Sequence, residues 1–471
     1  MRLKDILHGA FHSGLSNLLK IPLTFLSVYL LISVLNTDGF GVLTIALSYS
    51  SLLIYVLNGG IDKSILIVFP TAERLAGNTL SSVWLGLLMG ALILGLVLAA
   101  GWLTPDLFSI QPILVILALI YGAVMAASRT IAASLRIREE IKLSSYHDSV
   151  ILPSALCLGA LAMSHWHLAE PAEALMIHIG ASLIVLLGLA VFSASKSTSD
   201  PSMPSNRPFK PRELIKFGMP LGIAAALNSG AASVCIAVSA YFVSAESIAE
   251  FSIALRLNFL TLLAVTALNP FVATAVARAW GRNETDQIHS ASVALNRCLL
   301  LWSSLCLILI CFFDDEWMAL FGLTSSSATY SLLLVSVGSS ISSITSLNSQ
   351  ILSMSGHIRT TFNIGLLSVA TAAMASLVLG PLIGSLAPAS AYLISQIVIV
   401  LLRENEIKEV TGRRSLDFLW LLTLGGIALT VMLSQHSEMS LPWRIGLAIA
   451  CASLLLISLG PGTYTALKRS R

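Results

Sequence analysis

Fourteen apolar stretches, each about the twenty residues that cross a bilayer as helix, take up most of this sequence. They run approximately over residues 11–36, 40–60, 81–103, 110–135, 146–165, 171–195, 214–242, 247–275, 291–313, 328–354, 362–385, 387–404, 416–434 and 443–464. In hydrocarbon every backbone N–H and C=O must bond within its own segment or a closed barrel, and these continuous runs lack the alternation of barrel strands. Helices are the reading that remains. Only 11% of the residues are charged, against roughly a quarter in a soluble domain. The sequence therefore predicts an all-α polytopic membrane protein of about 14 transmembrane helices.

Lysine and arginine give that bundle an orientation. Arg2, Lys4, Lys63, Arg74, Arg136, Arg138, Lys142, Lys196, Arg207, Lys210, Arg278, Arg282, Arg359, Arg403, Lys408 and Arg471 fall at the termini or in alternate loops, and Arg444 stands at the opposite face. The positive-inside rule places both termini in the cytoplasm, as an even number of spans requires. The opposite loops carry acids instead, among them Asp38, Asp106, Glu170, Glu246 and the run Asp314, Asp315, Glu316. Basic residues beside a membrane report topology, so the net charge of +3 does not point to nucleic acid as a partner. The start, with Lys20 inside the first span and no small-residue cleavage site, reads as a retained helix. The six cysteines fall within spans at no metal-type spacing, which suits small packing residues. No cofactor is implied.

A shift of about 208 positions lays Thr44–Ser48 on Ser252–Arg256 and the third span on the ninth, without a gap. Six helices per repeat is an even number, so the expectation is two parallel bundles, as transporter repeats often are. Residues 196–213, rich in serine and proline, read as a cytoplasmic linker between an N-terminal bundle (1–195) and a C-terminal one (214–404), with a helix pair and tail over 405–471. Residues 61–78 are too polar to cross and read as an amphipathic connector.

Polar residues inside the spans mark where function is expected. Ser13, Asn17, Lys20, Thr24 and Ser27 fall at alternating steps of four and three, on one face of the first helix; Thr44, Ser48, Ser51, Tyr55, Asn58 and Asp62 repeat the pattern on the second. Two adjoining stripes suggest the wall of a water-filled cavity, although hydroxyls in membranes also bond back to their own helix. Lys20 stands about 14 Å along the helix from the cytoplasmic end and Arg256 about 15 Å from Glu246 at the outer end. A cation at such depth costs roughly 2.5 to 3.5 kcal/mol on insertion scales. The only acids expected near spans, Asp62 and Asp148, stand close to inner ends rather than the middle. Arg129 and Arg297 are close enough to the cytoplasmic side to snorkel, with Arg129 a secondary ligand candidate. His178, Asp62 and Asp148 are the candidates for ion coupling. An excess of positive charge at mid-depth suits a substrate with concentrated negative charge, phosphate above all. Arg256, Lys20, Asn17 and Arg129 are thus the expected substrate-binding set.

Four short stretches carry a family likeness. Asp38-Gly39-Phe40-Gly41 is similar to an acidic-x-aromatic-glycine turn, and Lys216-Phe217-Gly218-Met219-Pro220-Leu221 to a lysine-phenylalanine-glycine-x-proline helix start. Phe251-Ser252-Ile253-Ala254-Leu255-Arg256 resembles an aromatic-x-x-alanine-x-basic signature, with Phe in place of the usual Tyr. Gly380-Pro381-Leu382-Ile383-Gly384 followed by Ala387-Pro388-Ala389-Ser390-Ala391 resembles a proline-x-x-glycine loop and its alanine-rich helix start. Together they resemble the polysaccharide-transporter branch of the multidrug/oligosaccharidyl-lipid/polysaccharide (MOP) exporter superfamily, which includes the O-antigen and exopolysaccharide-unit flippases. The resemblance implies two six-helix bundles that alternate access around a cationic cavity, and passage of undecaprenyl-diphosphate-linked oligosaccharides between leaflets. It also implies that Arg256 contacts the diphosphate. A polysaccharide polymerase and chain-length proteins would be its partners beside the membrane lipids. Lys20 has no motif behind it.

Other classes fit less well. A cationic-drug exporter of the same fold would want acids in its cavity. A major-facilitator carrier would show a glycine-x-x-x-aspartate-arginine-x-glycine loop after the second helix, which is missing here. A membrane polymerase or glycosyltransferase would need a larger outer loop, and Asp314-Asp315-Glu316 reads as solvated charge more readily than as catalytic carboxylates. The sequence has no GxxxxGK[ST] phosphate loop, so direct coupling to ATP is not expected, nor is enzymatic activity.

Overall fold

The computed structural model describes residues 3–58, 110–137, 146–197, 230–282, 284–355 and 357–413, with Leu143 and positions 223, 224, 226 and 227. Every described element is helical. In chain order they are α1 (Leu3–Asn58), α2 (Pro112–Ile137), a π-helical turn (His147–Ile151) leading into α3 (Leu152–Trp166), α4 (Pro171–Ser197) and α5 (Gly230–Ser239). There follow α6 (Ala245–Leu257), α7 (Phe259–Gly281), α8 (Thr285–Phe312), the short α9 (Asp314–Ala319), α10 (Ser326–Ile344), α11 (Ser346–Met354), α12 (Ile358–Ile383) and α13 (Ala387–Thr411). The expected spans 81–103, 416–434 and 443–464, the first nine residues of 214–242, the connector 61–78 and nearly all of the linker 196–213 lie outside the described residues.

Among the described residues seven helices are long and apolar enough to cross a membrane, or eight if the bent pair α6–α7 is one span. Two of these, Leu15–Ser51 and Arg359–Thr411, run to 37 and 53 residues, well beyond the roughly twenty that one crossing needs. Each holds two helices. The first breaks at Asn36, whose φ of 56° and ψ of 179° interrupt the helix, and whose Oδ1 accepts the Gly39 N–H at 3.0 Å to cap the second arm. The second breaks at Gly384, where φ is +58° and a side chain would be strained; Pro388 then opens α13 at a position with no amide hydrogen to lose. The turn expected from Gly380–Gly384 is therefore present, with Pro381 inside the last turn of α12.

Two spans read as single helices from sequence are broken. Residues 247–275 divide at Asn258, where the chain bends by 41°. The Asn258 side-chain amide donates to the Ala254 carbonyl at 2.8 Å, sharing that acceptor with its own backbone N–H at 3.2 Å. Residues 328–354 divide at Thr345, in a serine-dense run where Ser343 and Ser346 hydroxyls bond back to Ser340 and Ser343 carbonyls. Such back-bonding bends helices.

Contacts divide the chain into two compact units, Met1–Ala249 and Glu250–Arg471. In the first, α1 packs on α2, α3 and α4, and α2 packs on α4. Ile54, Tyr121, Met125 and Leu152 form one buried cluster there, and Ala127, Ile131, Leu135, Val185 and Leu189 another. In the second, α8 packs on α7 and α10, and α13 packs on α10 and α12. Its core joins an apolar cluster around Leu299, Leu347, Ile351 and Ile399 to polar contacts between helices, Ser303 with Ser343 and Ser292 with Asn348. Hydroxyls and amides bonded across helices are a common glue where both packing surface and lipid are apolar.

The outward faces are apolar too. On α4, Ile184, Leu187 and Val191 are exposed, as are Met374, Val378 and Leu382 on α12. In water such a surface would aggregate; in lipid it is the matching solvent. Gly188 lies on α4, with nothing within 4 Å of a side chain placed there. Gly188→Ala is expected to leave thermal stability unchanged or raised by up to about 1 kcal/mol, from helix propensity alone, as a melting curve of the purified protein would show.

Candidate functional site

Arg256 stands in the last turn of α6, half-buried, two residues before the break at Asn258. The last carbonyls of a helix carry no amide partner within it, and they present partial negative charge to a cation placed there. A broken span is also how transporters open backbone for ligands at mid-membrane depth. The break itself is pinned from several sides. Asn258, 1% exposed, also donates to the Ser336 hydroxyl of α10 at 3.0 Å, and the Trp302 indole of α8 donates to the Leu260 carbonyl at 2.9 Å just beyond it.

One expectation about acids is corrected. Asp62 and Asp148 are not the only carboxylates near the cationic spans, because Glu250 lies within the span 247–275 on the same helix as Arg256 and is 2% exposed. Its carboxylate accepts the hydroxyls of Ser325 and Ser327 at the start of α10, Ser327 at 3.0 and 2.9 Å to its two oxygens. The signal was legible as an acid flanked by Ile248, Ala249 and Phe251, and proximity to Glu246 at the helix start hid it. Asp314 departs from the expected solvated turn as well: it is 3% exposed and accepts the Asp315 N–H at 3.0 Å.

In the first unit, α1 and α2 meet the π-helical turn. Asn17 is half-buried, and its Oδ1 accepts the Ser149 hydroxyl at 3.4 Å. Lys20, one turn further on, is half-buried as well. Ser128, the neighbour of half-buried Arg129 on α2, meets His147 Nε2 at 2.6 Å, and His147 is fully buried. A π turn places one extra residue per turn and is frequent at functional sites. Here it lets residue 147 reach α2 while residue 149 reaches α1. The structure thus brings Asn17 and the neighbour of Arg129 to one turn, and sequence spacing gave no sign of it.

The serine hydroxyls of the two polar stripes mostly bond at home. Ser27 donates to the Thr24 carbonyl, Ser48 to Ile45 and Ser51 to Leu47, all within 2.9 Å. These hydroxyls are satisfied by their own helix, and what remains distinctive on α1 is the amide and the lysine. His178 on α4 is 4% exposed, donates Nδ1–H to the Ala174 carbonyl at 2.8 Å and stands edge-on to Tyr121. Those are the surroundings of a packed histidine. Asp148 lies in the π turn, its side chain outside the described residues, and Asp62 lies wholly outside them. Among the described residues no group of three His, Cys, Asp or Glu could hold a metal ion.

No protein-family model and no curated protein matches this sequence. Solved structures do. The lipid II flippase MurJ in its inward-closed conformation aligns over 96% of this chain and 99% of its own, with a TM-score of 0.64 and 14% identity. The chain has the MOP-exporter fold. An outward-facing multidrug resistance MATE transporter of that superfamily aligns over 86% of this chain and 96% of its own, with a TM-score of 0.59 and 14% identity. A MOP-superfamily transporter from Pyrococcus furiosus, described by a reversed polarity of its binding pocket, aligns over 85% and 96%, with a TM-score of 0.58 and 14% identity. A shared fold does not fix a cargo, so the residues of this chain must argue its own.

Proposed function

We propose that this chain is a flippase that moves lipid-linked, undecaprenyl-diphosphate oligosaccharide units across the cytoplasmic membrane of a bacterium by alternating access, in O-antigen or exopolysaccharide biosynthesis. The observation that carries the reading is Arg256, a half-buried cation at the end of a helix broken inside its span, in a fold shared end to end with a lipid II flippase. A guanidinium presents its donors in a fork that matches phosphate oxygens, and in low dielectric that pairing is stronger than in water. Asn17, Lys20 and Arg129 of the N-terminal bundle belong to the same proposed substrate-binding set. Transport needs no bond made or broken by the protein, so the reading is of a carrier and not of an enzyme. The bundles 1–195 and 214–404, cytoplasmic termini and polymerase or chain-length partners belong to this same proposal.

The test is purified protein in proteoliposomes, given a fluorescent polyprenyl-diphosphate oligosaccharide in one arm and a cationic dye in the other. Flipping of the lipid without export of the dye is expected. Export of the dye with no movement of the lipid would replace this reading by small-molecule efflux. Lys20→Ala is expected to slow lipid flipping by less than Arg256→Ala does, on the order of tenfold, the loss of about 1.4 kcal/mol from one solvated cationic contact. Lys20→Glu should be slower again, and a Lys20→Glu protein working at the normal rate would remove Lys20 from the site.

A further inference from the structure

The segment that carries Arg256 is fastened to one neighbouring helix at both of its ends. Near the start of α6, the buried Glu250 carboxylate accepts hydroxyls from Ser325 and Ser327. At its far end, the buried Asn258 amide reaches Ser336. Eight residues separate the two anchors on α6 and nine to eleven separate their partners at α10, in the same order. The two segments therefore run in the same direction, with about 12 Å from Glu250 to Asn258 at helical rise. A third contact lies between them. Phe251 meets Tyr392 of α13 edge-on with centroids 6.1 Å apart, and the Tyr392 hydroxyl is 3.3 Å from Ser339 of α10. Arg256 sits inside this frame.

The anchors are chemically unequal, and that bears on their purpose. Apolar packing alone would hold α6 at no cost, whereas a buried carboxylate is expensive unless fully bonded. Ser325 also caps α10, its Oγ accepting the Ala328 N–H at 3.2 Å while its hydroxyl hydrogen goes to Glu250. The negative charge thereby meets the positive end of α10 through the cap. Directional bonds fix rotation about the helix axis, which greasy contacts leave loose, and rotation is what decides where a side chain on α6 points.

We propose that Glu250 and Asn258 are positioning residues for Arg256, clamping α6 to α10 so that the guanidinium is presented to a diphosphate in one fixed direction. The proposal rests on the flippase reading and adds residues that neither the motifs nor the polar stripes pointed to. Glu250 and Asn258 act through Arg256 and do not touch the ligand themselves.

The experiment uses the full-length purified chain in detergent with undecaprenyl diphosphate as the probe. Binding is read directly, beside the melting temperature and the spectrum of a nitroxide on Arg256→Cys in a background stripped of native cysteines. Glu250→Ala and Asn258→Ala are each expected to weaken binding about tenfold, the scale of effects transmitted through packed contacts. Both should broaden the motion of the label with the melting temperature held, and Glu250→Gln, whose carbonyl still accepts a serine hydroxyl, should restore most of the affinity. Should Glu250→Ala fail to fold, the double variant Ser325→Ala, Ser327→Ala removes the same bonds from the partner side. Unchanged binding in the clamp variants, alongside lost binding in Arg256→Ala, overturns the clamp and leaves the flippase reading standing. Weaker binding with an unchanged label spectrum also overturns it. Normal binding in Arg256→Ala overturns the flippase reading itself.

Discussion

If this chain is the flippase proposed, Arg256→Ala is expected to abolish glycan export while the protein remains folded and inserted, and Arg256→Lys to keep part of it. Removing one partner of a desolvated charge pair costs about 2 to 5 kcal/mol, a loss of at least about thirtyfold and up to a few thousandfold in any step that needs the contact. The fold should survive because Asn258, Trp302 and Glu250 make contacts that hold α6 and the break after it whatever side chain stands at position 256. Lysine keeps the charge and loses the fork, so it binds phosphate as a point charge with less directional hold. Surface glycan in cells carrying each variant, normalised to membrane-inserted protein, measures this. Normal surface glycan in the alanine variant would remove Arg256 from the transport site.

Gly41→Ala is the largest expected effect on stability. A Cβ at Gly41 would overlap the Ala245 carbonyl, lying 2.5 Å from its carbon and 3.1 Å from the Cα. These are backbone atoms at the start of α6, so no rotamer change relieves the clash. Either the second arm of α1 or the start of α6 must shift. Overpacking costs about 1 to 3 kcal/mol where side chains can adjust, and a backbone obstacle belongs at the top of that range or above it. The expected result is a melting temperature clearly below the parent's, with export reduced because α6 also carries Arg256. Gly188→Ala serves as the internal control, since glycine there has open space beside it. Equal melting temperatures for the two variants would mean that Gly41 does not bear on the Ala245 backbone.

How far the sequence could be read depended on which physical rule governed each feature. The spans 110–135, 146–165, 171–195, 291–313, 362–385 and 387–404 correspond to α2, the π turn with α3, α4, α8, α12 and α13, because hydrocarbon demands a long apolar run and little else produces one. The breaks at Asn258 and Thr345 were not legible. At each, side chains bond helix carbonyls, and whether a serine or asparagine does so depends on what faces it. The cations Lys20 and Arg256 stood out for the opposite reason, as charges in runs that otherwise exclude them. Glu250 was just as anomalous and was passed over beside Glu246, although one is buried and the other exposed.

Composition and hydrophobic length by themselves determined that this chain is a bundle of membrane helices, because lipid solvates only backbones that satisfy themselves. They also determined which charges lie deep enough to need an explanation. Tertiary structure decided that the bundle is a MOP-exporter fold, since helix order and packing distinguish it from other bundles of equal hydropathy. It decided too that Asn17 meets the π turn and that Glu250 and Asn258 fasten α6 to α10. Those pairings join residues 75 to 132 positions apart, and sequence spacing carries no record of a contact made across that distance.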